Sequence, residues 1–210
     1  MLTSAEALAV AAQFHREGDL AGAGAVCAHV IANDPASAEA LHLGGLVALA
    51  FGGAERSATL LLRAVAVEPL RGAFQFNLGL AQRSLGRLPE MLRAYRRALA
   101  ASPVHAGALN NLGEATLRHG GSSEAEARLR RAVAADPSAA EPRVNLALAR
   151  GGSGDHAAAA RLLEEATRLS PGTAEIWANL ASEFALLGRN EAASGAYRRS
   201  IALGPASFAA

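Results

Sequence analysis

The sequence predicts an all-α fold of repeated helical pairs, and three observations carry that prediction. Of its 210 residues, 53 are alanine and only 4% are aromatic, a composition that favours helix and starves strands of the residues they prefer. Prolines recur every 34 residues at Pro35, Pro69, Pro103, Pro137, Pro171 and Pro205, and only Pro89 and Pro142 fall outside that register. Between them the apolar residues follow helical spacing, as in Leu78, Ala81 and Leu85, then Met91, Ala94, Tyr95 and Ala98, each set lying along one helix face.

The period divides the chain into six units, 4–37, 38–71, 72–105, 106–139, 140–173 and 174–207, read as a single domain over 1–210. Each unit begins with a helix that ends before a glycine, in the column Gly18, Gly52, Gly86, Gly120, Gly154 and Gly188. Glycine suits that place because the residue past a helix C-terminus commonly takes a left-handed conformation. A second helix follows. It carries a nearly invariant small column, Ala23, Ser57, Met91, Ala125, Ala159 and Ala193, and a further column at Val30, Ala64, Ala98, Ala132, Ala166 and Ser200, which let helices approach closely. Proline then stops the second helix, and Ser37 or Thr173 is placed to cap the next one. Gly151 and Gly152 are expected to end the first helix of the fifth unit early.

Other observations exclude function classes. All 20 basic residues are arginine, so no lysine exists for a Walker-type phosphate loop or for a Schiff base. The formal charge is +1, which argues against a nucleic-acid binder that relies on bulk electrostatics. The six histidines show no metal-ligand spacing and the glycine clusters follow no strand, so neither a metal site nor a cofactor is expected. The start of the chain lacks a positive n-region, and the stretch after it is broken by Gln13, His15, Arg16 and Glu17; no signal peptide, no membrane contact and a cytoplasmic address are expected. Cys27 is expected to be buried and inert.

The last unit, with Trp177, Leu180, Ala181, Phe184, Gly188, Ala193, Tyr197 and Pro205, resembles the tetratricopeptide repeat pattern. The third unit matches through Leu78, Gly79, Gly86, Tyr95, Ala98 and Pro103, and the fourth through Leu112, Gly113, Gly120, Ala125, Ala132 and Pro137. The resemblance implies a right-handed α-solenoid whose first helices line a concave groove for extended peptides or helices. Counting Ser4 as position 1, it implies groove-facing side chains at positions 2, 5, 6, 9, 12 and 13.

Position 6 reads Ala9, Leu43, Asn77, Asn111, Asn145 and Asn179. A row of amides can donate to peptide carbonyls and accept from peptide N–H groups without demanding a particular sequence; the row is similar to the asparagines of O-linked N-acetylglucosamine transferase repeat domains. Nearer the start, Leu43, Leu46, Leu49, Phe76 and Leu80 form an expected apolar anchor, with Arg83 and Arg118 as anion contacts. No catalytic residue is expected. The absence of lysine argues against the carboxylate clamp of chaperone-binding relatives. The pairs Arg96-Arg97, Arg130-Arg131 and Arg198-Arg199 are read as a solvated face.

These residues point to a non-catalytic scaffold with a protein or peptide partner and no nucleic acid. The alternative reading is the substrate-recruiting N-terminal part of a larger bacterial enzyme of glycosyltransferase, sulfotransferase or hydroxylase type. A third is self-association, since the sequence after Pro205 is too short for a capping helix or catalytic domain and leaves the last repeat uncovered as a homo-oligomer face.

Overall fold

The computed structural model describes residues 3–204; the expectations for Pro205 and the residues after it lie outside this range. Among the described residues there are twelve helices and no strand. They alternate as the period requires. The first helices of the six repeats are α1 (Ser4–Glu17), α3 (Ala38–Ala50), α5 (Gly72–Ser84), α7 (Ala106–Arg118), α9 (Glu141–Gly152) and α11 (Ala174–Leu186). The second helices are α2 (Leu20–Asn33), α4 (Ala54–Val67), α6 (Leu88–Ala101), α8 (Ser122–Ala135), α10 (His156–Leu169) and α12 (Asn190–Leu203). This is the all-α helical-repeat architecture of the α-solenoid class.

The turn inside each repeat follows from one backbone conformation. The six column glycines are the positive-φ residues of the described chain, from Gly86 at 69° to Gly154 at 87°. A Cβ added at any of them would meet nothing within 4 Å, so the requirement is conformational rather than steric. At Gly86 the stop is a Schellman arrangement: the Gly86 N–H donates to Arg83 O at 3.0 Å and the Arg87 N–H to Gln82 O at 3.0 Å.

Two expectations about helix ends are corrected. Ser37 and Thr173 do stand at N-cap positions, but neither side chain accepts a capping hydrogen bond. The side chains that do accept such bonds are Thr3 from the Glu6 N–H, Asp19 from the Gly22 N–H, His105 from the Ala108 N–H and Asp155 from the Ala158 N–H. Helix α9 is not cut short, since it runs through Gly151 and Gly152. A Cβ on Gly151 would come within 2.5 Å of Glu183 Oε1, so that glycine leaves room for the carboxylate reaching across from α11.

The helices gather into two compact units, one ending at Pro103 and holding α1 to α6, the other starting at Val104 and holding α7 to α12. In the first, the main core joins Leu41 of α3, Leu61 and Ala64 of α4, Phe74 and Leu78 of α5 and Ala94 of α6. In the second, Ala147 of α9, Leu163 and Ala166 of α10, Leu180 and Phe184 of α11 and Ala193 of α12 close together. The small column beginning at Ala23 is buried in every repeat, the close helix approach its alanines permit. Position 8 explains three further glycines: a Cβ on Gly79 would sit 2.3 Å from the Tyr95 ring, and on Gly45 or Gly113 2.7 Å from Leu61 or Leu129.

Candidate functional site

In the first unit, the amide of Asn77 on α5 reaches back to α3, where Nδ2 donates to His42 Nε2 at 2.7 Å. His42 occupies position 5, stacks on Phe74 with ring centroids 4.4 Å apart, and is only half-exposed. Desolvation, reinforced by the nearby Arg71 guanidinium, pushes its pKa down to about 4. Near neutrality the ring is therefore uncharged, which leaves Nε2 free to accept from Asn77. Arg71 itself is held by Glu39 at 2.7 Å and Glu68 at 3.1 Å.

The second unit repeats this link with different chemistry. Asn145 Nδ2 on α9 donates to Asn110 Oδ1 on α7 at 2.9 Å, and Asn110 Nδ2 donates to Asn111 Oδ1 at 3.3 Å. All three amides are at least nine-tenths buried. A chain of donors of this kind fixes which way each amide points. Asn179 on α11 is half-buried, and its side chain makes no hydrogen bond among the described residues.

The other expected residues divide. Leu43, Leu46, Phe76 and Leu80 are half-buried, neither core nor free surface, and the Phe76 ring lies 5.7 Å from that of Tyr95 at a 36° tilt. Leu49 packs against the core of the first unit. Arg83 is exposed. The Arg118 side chain is 73% exposed and pairs with Glu114 at 2.7 Å. Cys27 is buried, and desolvation pushes its thiol up to about 11.

The arginine pairs contain a pattern that the sequence reading missed. Position 26 reads His29, Arg63, Arg97, Arg131, Glu165 and Arg199, and position 4, on the first helix, reads Ala7, Leu41, Gln75, Leu109, Arg143 and Trp177. Together these two positions serve the carbonyl groups of the turn before the repeat. Arg63 Nη2 donates to Pro35 O at 2.9 Å where position 4 is Leu41. Gln75 Nε2 donates to Pro69 O at 3.2 Å and Trp177 Nε1 to Pro171 O at 3.0 Å, while Arg199 lies 6.0 Å from the Trp177 ring centre. In the fifth repeat Arg143 Nη1 donates to Ala139 O at 2.8 Å, and its Nε pairs with Glu165 at 3.1 Å. Charge was the available signal, because Arg143 is the one charged member of its column and Glu165 the one acid in its own.

Among the described residues no group of three metal-binding side chains comes together, and no helix is long and apolar enough to cross a membrane.

A family profile described as tetratricopeptide repeat matches residues 42–90, 92–140 and 144–208, well over half of the chain. The chain belongs to the tetratricopeptide repeat family. Solved structures share its fold at low sequence identity. A chain of the APC/C hetero-tetramer Cut9-Hcn1 is 16% identical, with 98% of this chain and 41% of that one covered at a TM-score of 0.86. PilW, described as a widely conserved type IV pilus biogenesis factor, is 21% identical over 92% of this chain and 90% of its own, at 0.81. YrrB, described as a tetratricopeptide repeat protein with an unusual peptide-binding site, is 17% identical over 87% and 94%, at 0.67. No curated protein matches the sequence.

Proposed function

We propose that this tetratricopeptide repeat chain is a protein-interaction scaffold that binds an extended peptide or a helical segment along its first helices. The observation that carries the reading is the row of position-6 amides. The half-buried Asn77 is held by His42 on the preceding first helix, and an amide held in one orientation presents its oxygen to main chain at a small entropic cost. Asn111 and Asn145 are instead buried in the amide chain that links α7 to α9. In the second unit the half-buried Asn179 side chain has no partner among the described residues, so both its donor and its acceptor remain for a ligand. In the first unit the half-buried Leu43, Leu46, Phe76 and Leu80 supply apolar contact beside Asn77, and the exposed Arg83 adds positive charge to the same unit.

The test begins with co-purification and cross-linking to identify a bound segment. Titration of that segment against Asn77→Ala and Asn179→Ala then follows, with helicity monitored. A loss of at least about fivefold in affinity at unchanged helicity is expected for hydrogen bonds of this kind. Unchanged affinity in both variants would remove the amide row from the binding surface.

A further inference from the structure

We propose that a pocket between α2, α3 and α4 binds the hydrocarbon chain of a long-chain carboxylic acid, with the carboxylate on Arg56 at its mouth. The pocket measures about 640 Å³, within the range of sites that hold small ligands. Two departures from the repeat columns create it.

Position 7 reads Val10, Gly44, Leu78, Leu112, Leu146 and Leu180, and the four leucines are buried. Gly44 is the member with no side chain. Position 24 reads Cys27, Leu61, Tyr95, Leu129, Leu163 and Tyr197, so the smallest side chain of that column lines the same pocket as Gly44. A Cβ on Gly44 would stand 3.6 Å from Cys27 Cβ and from Leu60 Cδ1, and 3.7 Å from Ile31 Cδ1, ordinary contact distances. Its φ is not positive either. Neither packing nor backbone therefore demands glycine there, and its effect is to leave the space open.

The lining selects the occupant. Of its side chains only those of Arg56 and Cys27 carry a polar atom, and the Cys27 thiol, pushed up to about 11 by desolvation, is uncharged near neutrality. A peptide laid in this pocket would lose water from its N–H and C=O groups and find no side-chain acceptor for them. A polymethylene chain carries no such groups. At the mouth, where Phe51 is 64% exposed, Arg56 is exposed and makes no ion pair or hydrogen bond among the described residues. Its neighbour Glu55 is taken by Arg87 at 2.6 Å. Helix α4 begins beside it at Gly53, which supplies no side-chain cap, and the start of a helix favours an anion. An apolar chain ending in one negative charge meets both the lining and the mouth, whereas an alcohol or an amine of the same length meets only the lining. None of the lining residues belongs to the amide row or its apolar neighbours, so the pocket is independent of the groove reading.

Titration of the full chain with dansylaminoundecanoic acid, followed by its dansyl emission, tests this. Saturable binding is expected, with displacement by dodecanoate at a concentration at least about tenfold lower than by octanoate, since each buried methylene contributes. Dodecanoate should also displace the probe about tenfold better than dodecanol, as a charge-assisted hydrogen bond implies, and Arg56→Gln should erase that preference. Gly44→Leu, which restores the column residue, should abolish probe binding. Should that variant fail to fold by circular dichroism, Gly44→Ala, whose added methyl group clashes with nothing, should still weaken binding at unchanged helicity. Bound dodecanoate should slow alkylation of Cys27, the one cysteine of the chain, which places the ligand in this pocket. Full affinity in a folded Gly44 variant, equal displacement by acid and alcohol, or Cys27 alkylation unaffected by saturating dodecanoate would each overturn the proposal.

Discussion

The third and fifth repeats start from one template and solve the same local problem with opposite charges. In the fifth, Arg143 and Glu165 neutralise each other at 3.1 Å while Arg143 also serves a turn carbonyl. In the third, Gln75 takes the carbonyl, its own oxygen is left without a partner, and Arg97 stands beside an apolar pocket. Both repeats keep the same two-helix template, with Gly86 and Gly154 in the same left-handed turn. A repeat protein can thus hold its backbone constant and move its unsatisfied groups from one repeat to another.

The two repeats also differ at positions 8 and 24, and there the largest effect is expected. Gly79 faces the fully buried Tyr95, whereas Ala147 occupies position 8 of the fifth repeat, with Leu163 at position 24. Gly79→Ala should cost about 2 kcal/mol by overpacking, net of the helix propensity gained, in urea unfolding. It should also move the tyrosine outward, toward the state of Tyr197 beside Ala181, which is 42% exposed and hydrogen-bonded to Ser182. Fluorescence quenching of the tyrosines reports that shift. An unchanged midpoint would mean the ring is not held where the glycine lets it lie.

The second comparison is between the two inter-repeat links. His42 titrates in the folded chain near 4 against about 6.5 when unfolded. Between these values the unfolded state binds the proton and the folded state refuses it, so stability is full above about pH 6.5 and falls as pH drops toward 4. Protonation also turns Nε2 into a donor facing the Asn77 amide nitrogen, which forces that amide to rotate. The loss should reach roughly 2 kcal/mol, allowing for the partly exposed ring. It is read as the difference between the wild type and His42→Gln over that range, since carboxylates common to both cancel. The Asn110 to Asn145 link has no titrating group and should contribute no slope.

Breaking that second link isolates a plain hydrogen bond. Asn145→Ala leaves Asn110 Oδ1 buried without its donor, and a loss of about 1 to 2 kcal/mol is expected with helicity retained by circular dichroism. The smallest effect should come from the charges themselves. Arg143→Gln combined with Glu165→Arg rewrites the fifth repeat in the manner of the third and should change stability by under about 1 kcal/mol, because the Glu165 side chain is 47% exposed and solvent screens the pair. A larger loss would show that the ion pair is part of what holds α9 to α10.

Much of the architecture could be read from one column at a time. The glycine column predicts a left-handed residue in every repeat, and each of its six members has positive φ. The small column predicts close helix contact, and its residues are buried. The period predicts twelve helices in six pairs, and family membership agrees with it. Less of the candidate site could be read this way. Position 6 was legible as a row of amides, but the partners of Asn77 and Asn145 sit at position 5, where His42 and Asn110 share no residue type that would mark a column. Ser37 and Thr173 had the right identity for caps, yet their side chains accept no capping bond.

What the sequence by itself determined is whatever depends on local backbone and on repetition: the helices, their turns and the small contact columns. These follow from φ, from helix propensity and from side-chain size, properties each residue brings with it. Only the tertiary structure decided which polar groups find partners, because a hydrogen bond between repeats joins residues some 35 positions apart in the chain, as Asn77 does with His42. The same holds for Gln75 and Arg97. Their composition is ordinary, and only the packing of α4, α5 and α6 leaves an oxygen without a donor and a guanidinium without an anion.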